Sequence, residues 1–184
     1  MNLLFWNLKQ NNIDELVRNV IVENDVDVAI FSEYKSINYI DVIKRLNYKY
    51  KWHDGFSGCE KVTLLCKNDI EVKVRREHSR YTLYTLYLEE NIIVGGVHLP
   101  SPPYNNSEDR KNVLRELVRD IKELESSEKH TRSIVIGDFN CNPFDQEMIQ
   151  KDAMNSVLFK DLIKKSETVK CNDKMSRVEK SWKA

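Results

Sequence analysis

The segment Ser133-Ile134-Val135-Ile136-Gly137-Asp138-Phe139-Asn140 runs through apolar, β-branched residues to a glycine, then presents an aspartate and an asparagine two residues apart. That pattern reads as a buried strand whose C-terminal end carries two polar side chains pointing in nearly the same direction. The aspartate is an acceptor-only carboxylate; the asparagine offers a carbonyl acceptor and amide donors. Such a pair suits a water or hydroxide held against a phosphoryl group. Three more polar residues end runs of the same kind. Asn7 follows Leu3-Leu4-Phe5-Trp6, Glu33 follows Val28-Ala29-Ile30-Phe31-Ser32, and His98 follows Ile92–Val97. Two carboxylates, two amides and an imidazole at converging strand ends make a site for a hard cation and a phosphate, because Mg²⁺ takes oxygen ligands from one or two carboxylates and completes its shell with water and substrate. Glu33 fits the ligand. Asp138 fits the group that orients or deprotonates the attacking water, Asn140 the group that holds that water or the phosphate, and His98 a donor to a phosphoryl oxygen. Each residue also has a plainer role: turn former for Asn7, loop acid for Glu33, structural hydrogen-bonder for His98, Asx-turn for Gly-Asp-Phe-Asn. The sharper reading rests on all of them falling at strand ends.

The elements that must position these residues follow from periodicity. Asn12 with Glu15 three residues on resembles a helix cap, and Ile13, Leu16, Val17, Val20 and Ile21 then share one helical face. Tyr39 to Leu46 reads as a second helix. The runs Val62–Cys66, Ile70–Val74, Tyr81–Leu88 and Ile92–Val97 are short, β-rich and separated by polar turns, which reads as an antiparallel meander. Ser107 is placed to cap a long helix with Glu108 and Asp109 in its first turn. A further helix is expected through Val157, Leu158 and Leu162, and from Lys164 onward the sequence is polar and nearly patternless. Strands and helices mix throughout with no composition break, so the expectation is one α/β or α+β domain over residues 1–184.

Composition narrows the function classes. With 184 residues, 41% hydrophobic and 32% charged, the chain has enough apolar surface for a real core. Lys+Arg and Asp+Glu both number 29, which argues against a strongly basic nucleic-acid coat while leaving room for a local patch. Lys73, Arg75, Arg76, His78 and Arg80 form such a patch, read either as a track for a phosphate backbone or as a solvated strand face. Cys59, Cys66, Cys141 and Cys171 form no C-x-x-C pair, so a zinc ribbon is not indicated, and Cys66 reads as a core hydrophobe. No run has the length of a signal or membrane segment, and a cytoplasmic location is expected.

Phe5-Trp6-Asn7, Ile30-Phe31-Ser32-Glu33, Gly96-Val97-His98-Leu99 and Gly137-Asp138-Phe139-Asn140, in that order, resemble the motifs of the endonuclease/exonuclease/phosphatase superfamily, with its DNase I-like fold. The resemblance runs from residue 2 to about Phe144. It implies a four-layer α-β-β-α sandwich and a Mg²⁺- or Mn²⁺-dependent phosphodiesterase or phosphomonoesterase. By resemblance Glu33 is the direct metal ligand and Asn7 serves the metal site. Asp138 and Asn140 handle nucleophile and phosphate, His98 is a phosphate-side acid or donor, and Arg80 or Tyr81 fills the place of a phosphate-binding residue.

Two departures stand out. Ser32 replaces the glutamine that most members carry before the metal-binding glutamate. The Ser-Asp-His motif that ends family members is absent; His53, His78 and His130 lie in other contexts, and no histidine follows Asn140. The expectation is therefore a truncated chain lacking the last strands of the second sheet, impaired in catalysis and prone to self-association through the uncovered sheet. The leading function is metal-dependent hydrolysis of phosphodiesters in nucleic acid, without stable membrane association. The alternatives are an inositol-phosphate or phospholipid phosphoesterase, and a non-catalytic remnant or interaction module that keeps the fold.

Overall fold

The computed structural model describes residues 1–34, 39–53, 61–101, 107–142, 144–150 and 154. In chain order the elements are β1 (Leu3–Asn7), α1 (Asp14–Glu23), β2 (Val28–Ser32), α2 (Tyr39–Arg45), β3 (Tyr50–His53), β4 (Val62–Lys67), β5 (Glu71–His78), β6 (Tyr81–Tyr87), β7 (Ile92–His98), α3 (Ser107–Glu128), β8 (Ser133–Asp138) and α4 (Gln146–Ile149). They divide into two compact units. The first comprises Met1–Leu99 and Arg132–Phe139 and holds all eight strands; the second carries α3, α4 and Asn140.

The first unit contains two four-stranded mixed sheets, ordered β1-β2-β4-β3 and β5-β6-β7-β8. In each sheet one parallel pair is joined through a helix in sequence, β1 with β2 and β7 with β8, and the other pairings are antiparallel. Strand alternation sorts the core into two layers. Ala29, Phe31, Leu65 and Tyr50 of the first sheet pack with Val17 and Ile21 of α1, with Val42 of α2 and with Leu46 just after it. Val28, Ile30, Val62, Leu64 and Cys66, on the opposite face, pack with Tyr84, Leu86 and Val94 of the second sheet. With both faces covered, β2 is buried along its whole length, which is why its sequence is a continuous apolar run rather than an alternating one.

Two glycines set close approaches. A Cβ at Gly96 would lie 2.6 Å from Val62 and 2.9 Å from Ile30, so the missing side chain lets the two sheets meet there. A Cβ at Gly137 would collide with the Val97 backbone, so glycine lets β8 lie against β7 just before Asp138.

The structure corrects several sequence expectations. β4 does not belong to the meander; it pairs antiparallel with β2 and β3 in the first sheet, and only β5, β6 and β7 form the meander. β3 was not anticipated, being four residues long with mixed polarity. α1 begins one residue later than an Asn12 cap requires. Its N-cap is Ile13, without a side-chain cap bond, and Leu16 is 48% exposed rather than part of the buried face. Cys66 is fully buried and burial pushes its thiol up to about 11, as a core residue requires. Cys59, Cys171, the Ser107 side chain and the helix expected around Val157, Leu158 and Leu162 lie outside the described residues.

Candidate active site

Strand parity aims the site residues. On β1, Leu3 and Phe5 pack toward the inter-sheet core, so Asn7 continues on that face. On β8 the same holds for Ile136 and then Asp138; on β7 Val94 and Gly96 face the first sheet and His98 follows. Both parallel pairs therefore deliver their C-terminal residues into the space between the sheets. Ligand sites in open α/β sheets form at such strand ends.

Glu33 breaks this parity. As an extended continuation of β2 it would face the helix side, whereas Ser32 faces inward. The residue instead adopts φ 51°, a left-handed conformation that an L-residue other than glycine takes rarely. Its backbone is held there: its N–H donates to the Lys61 carbonyl at 3.3 Å and its carbonyl accepts from Gln10 N–H at 2.8 Å. The turn re-aims the carboxylate to the inner face, where Oε1 lies 3.0 Å from His98 Nε2. Strained backbone held by its surroundings is a common feature of functional sites.

The four residues close a ring across the two sheets. Asn7 Nδ2 donates to Asp138 Oδ2 at 2.9 Å. Asp138 is the register partner of His98, His98 reaches Glu33, and Glu33 follows Ser32, the register partner of Asn7. The orientation of the Asn7 amide follows from its partners, because Oδ1 accepts from the Lys9 N–H at 2.9 Å. An N–H faces only an acceptor and a carboxylate wants a donor, so both requirements fix the same rotamer.

His98 is 6% exposed, and its backbone N–H donates to the Arg80 carbonyl at 2.8 Å. Burial pushes its pKa below the ordinary 6.5, against the pull of Glu33 and Asp138 and helped by the cations Arg80 and Lys61. A neutral ring with Nε2 facing a carboxylate carries its proton on Nε2. Nδ1 is then a buried acceptor, and it has no hydrogen-bond partner among the described residues. Ser32 Oγ is likewise buried without a partner among the described residues, at the position where the resemblance expects glutamine.

The remaining candidates are placed differently. Arg80 adjoins His98 through the backbone bond just described. Tyr81 is 1% exposed and stacks on His78, with ring centroids 4.8 Å apart. Asn140 follows Asp138 by two residues at φ 46° but belongs to the second unit, so the four-residue ring does not include it. Lys61 was missed by sequence reasoning. It precedes β4, and only the pairing of β4 with β2 brings it beside Glu33.

Among the described residues no group of three or more His, Cys, Asp or Glu is arranged to hold a metal ion. The ring does offer what a magnesium-type cation uses, namely carboxylate oxygens with no thiolate, beside a buried polar region with two unsatisfied atoms. Glu33 is one-quarter exposed, and its only ion-pair partner among the described residues is His98. That donor set fits a cation held by one or two carboxylates with water completing the shell, and does not fit a cation held wholly by protein.

Two mixed sheets packed face to face, with a polar ring where both parallel pairs end, give the chain a DNase I-like fold. The similar solved structures include D. rerio TDP2 complexed with a single-strand DNA product, 18% identical over 78% of this chain and 62% of that one, with TM-score 0.58. The human nocturnin catalytic domain with bound sulfate is 13% identical over 78% and 62%, with TM-score 0.57. A β-hairpin deletion mutant of Staphylococcus aureus beta toxin is 16% identical over 80% and 71%, with TM-score 0.56. The chain thus spans less than two thirds of the TDP2 and nocturnin chains. No family model matches the sequence, and no curated protein matches it either.

Proposed function

We propose that this chain hydrolyses phosphoesters with a divalent metal, Mg²⁺ or Mn²⁺, and that its substrate is a phosphodiester in nucleic acid. The observation that carries this reading is the closed ring of Asn7, Asp138, His98 and Glu33 at the ends of two parallel strand pairs. Glu33 and the Asn7 carbonyl are the groups that would hold the cation. A bound cation supplies charge neutralisation at the phosphate and a more acidic water.

The chain's own residues do the rest. Asn7 holds the Asp138 carboxylate in one orientation through the Nδ2 bond, and Asp138 takes the proton of the attacking water. His98 fixes Glu33 through Nε2, an orienting role of the kind that supports metal ligands elsewhere. This is a different duty from donating to the phosphate. Arg80 and Lys61 supply positive charge for the substrate's phosphate, and Asn140 is assigned to the attacking water or the phosphate. The TDP2 structure with a single-strand DNA product supports nucleic acid over other phosphoesters. ANGEL2, a 2',3'-cyclic phosphatase, shares the fold and keeps a small phosphate ester as the second substrate class.

Plasmid nicking and hydrolysis of a small phosphodiester, each with Mg²⁺ or Mn²⁺ and with chelator, test the reading. Metal-dependent hydrolysis abolished by Asp138→Asn is expected. Equal rates for wild type and Asp138→Asn, or no hydrolysis with either metal, would reject the proposed activity.

A further inference from the structure

A second candidate site lies at the other end of the strands. An open cleft of about 620 Å³ is bounded by α1, the end of α2, the start of β3 and the β4–β5 turn. That volume is in the range of small-molecule sites. Its cationic lining is only partly committed. Lys67 is engaged by Asp25 and Asp27 at 2.7 and 2.6 Å, and Arg18 donates to the Arg45 carbonyl and to Asn19. The Arg45 guanidinium and the Lys49 ammonium have no hydrogen bond or ion pair among the described residues. Against them stands one carboxylate without a partner there, Asp69.

The aromatic residue of this cleft is held in an unusual way. Helix α2 closes with a Schellman pattern: Asn47 N–H donates to Lys44 O at 2.9 Å and Tyr48 N–H to Ile43 O at 3.0 Å. That closure needs one left-handed residue, and Asn47 supplies it at φ 54°. Tyr48 is left-handed as well, at φ 55°, which the closure does not require. An aromatic residue disfavours that conformation. The Asn68 side chain donates to the Tyr48 carbonyl at 2.6 Å, and Asn68 N–H to Lys49 O at 2.9 Å. The result is a 62% exposed ring on a clamped, strained backbone between two uncommitted cations.

We propose that this cleft binds a nucleobase together with its phosphate, the base on the Tyr48 ring and the phosphate on Arg45 and Lys49. Stacking on an exposed aromatic beside basic side chains is how sequence-tolerant contacts to single strands and nucleotides are made. The ligand is either a free nucleotide or a nucleotide of a single strand. This site does not depend on hydrolysis or on a metal.

The test uses the full chain in chelator, so that nothing is cleaved. Calorimetry with AMP and anisotropy with a labelled single-stranded deoxyoligonucleotide are run on wild type, on Arg45→Gln/Lys49→Gln, on Tyr48→Gly and on Lys44→Gln. Glycine accepts the backbone at position 48, so that variant keeps its fold and loses only the ring. Lys44 pairs with Asp41 and does not line the cleft, so it controls for net charge. The dissociation constant is expected to rise about tenfold in the double variant and in Tyr48→Gly and to stay unchanged in Lys44→Gln. That pattern with AMP assigns a free nucleotide; the pattern with the oligonucleotide alone assigns a strand. Absence of binding to wild type, wild-type affinity in the double variant, or an equal loss in Lys44→Gln would overturn the proposal. Failure here leaves metal-dependent hydrolysis untouched.

Discussion

The two ends of β2 carry carboxylates in opposite states. Before the strand, Asp27 shares Lys67 with Asp25, and the N-terminal ammonium lies 3.9 Å away. The Lys67 hydrogen bond holds the Asp27 carboxyl below its usual range, and the two carboxylates raise the lysine. Charge there is neutralised by residues of the chain. After the strand, Glu33 faces a buried imidazole whose pKa is pushed down, so its partner is neutral near pH 7. Asp25 is left-handed too, at φ 45°, so backbone sign does not separate the two ends; the partner does, a lysine shared by Asp25 and Asp27 against a buried imidazole at Glu33.

Glu33→Ala should lower metal-dependent hydrolysis by about a thousandfold or more. Glu33→Gly should lose the same activity and be about 1 kcal/mol more stable than Glu33→Ala, because both lose the His98 contact and only glycine accepts the left-handed backbone. A glycine variant that unfolds at lower denaturant than Glu33→Ala would remove strain from the account. Next in size, Gly137→Ala should cost about 3 kcal/mol in urea unfolding, since the added methyl meets the Val97 backbone. Asn7→Leu keeps the strand but removes the Nδ2 bond to Asp138, and should reduce kcat by about tenfold to a hundredfold. An unchanged kcat would show that the Asn7–Asp138 bond positions nothing.

The smallest effect belongs to the other end of β2. Lys67→Met should cost less than about 1 kcal/mol and leave hydrolysis unchanged. Its signature is in pH. Asp27 has a lowered pKa in the folded state, so the pair contributes stability above the ordinary 3.8, lost as pH falls through the lower folded value. Lys67→Met should therefore lose less stability than wild type between pH 5 and the acid limit, read from unfolding midpoints. A parallel pair of curves would contradict the assignment.

Much of this arrangement was legible in the sequence because strand ends are. Asn7, Glu33, His98 and Asp138 each end an apolar run, and the period of two sets the faces of Asn7, His98 and Asp138 before any pairing is known. What the sequence hid was pairing and backbone sign. Nothing local in Val62–Lys67 says that it leaves the meander to pair with β2, so Lys61 could not be placed beside Glu33. The left-handed turns at Glu33 and Tyr48 occur at residues with no propensity for them. Such features are imposed by tertiary contacts, here the bonds from Gln10, Lys61 and Asn68. The expected Asn12 cap failed for a related reason: helix α1 starts two residues beyond Asn12, uncapped by any side chain.

On the proposed function, the Glu33 end takes a cation and the Asp27 end does not. Calorimetric titration of Mn²⁺ into the full chain, with wild type, Glu33→Ala and Lys67→Met compared at one ionic strength, tests it most directly. A single Mn²⁺ site is expected in wild type and Lys67→Met, weakened at least about tenfold by Glu33→Ala. Equal Mn²⁺ affinity in wild type and Glu33→Ala would contradict it.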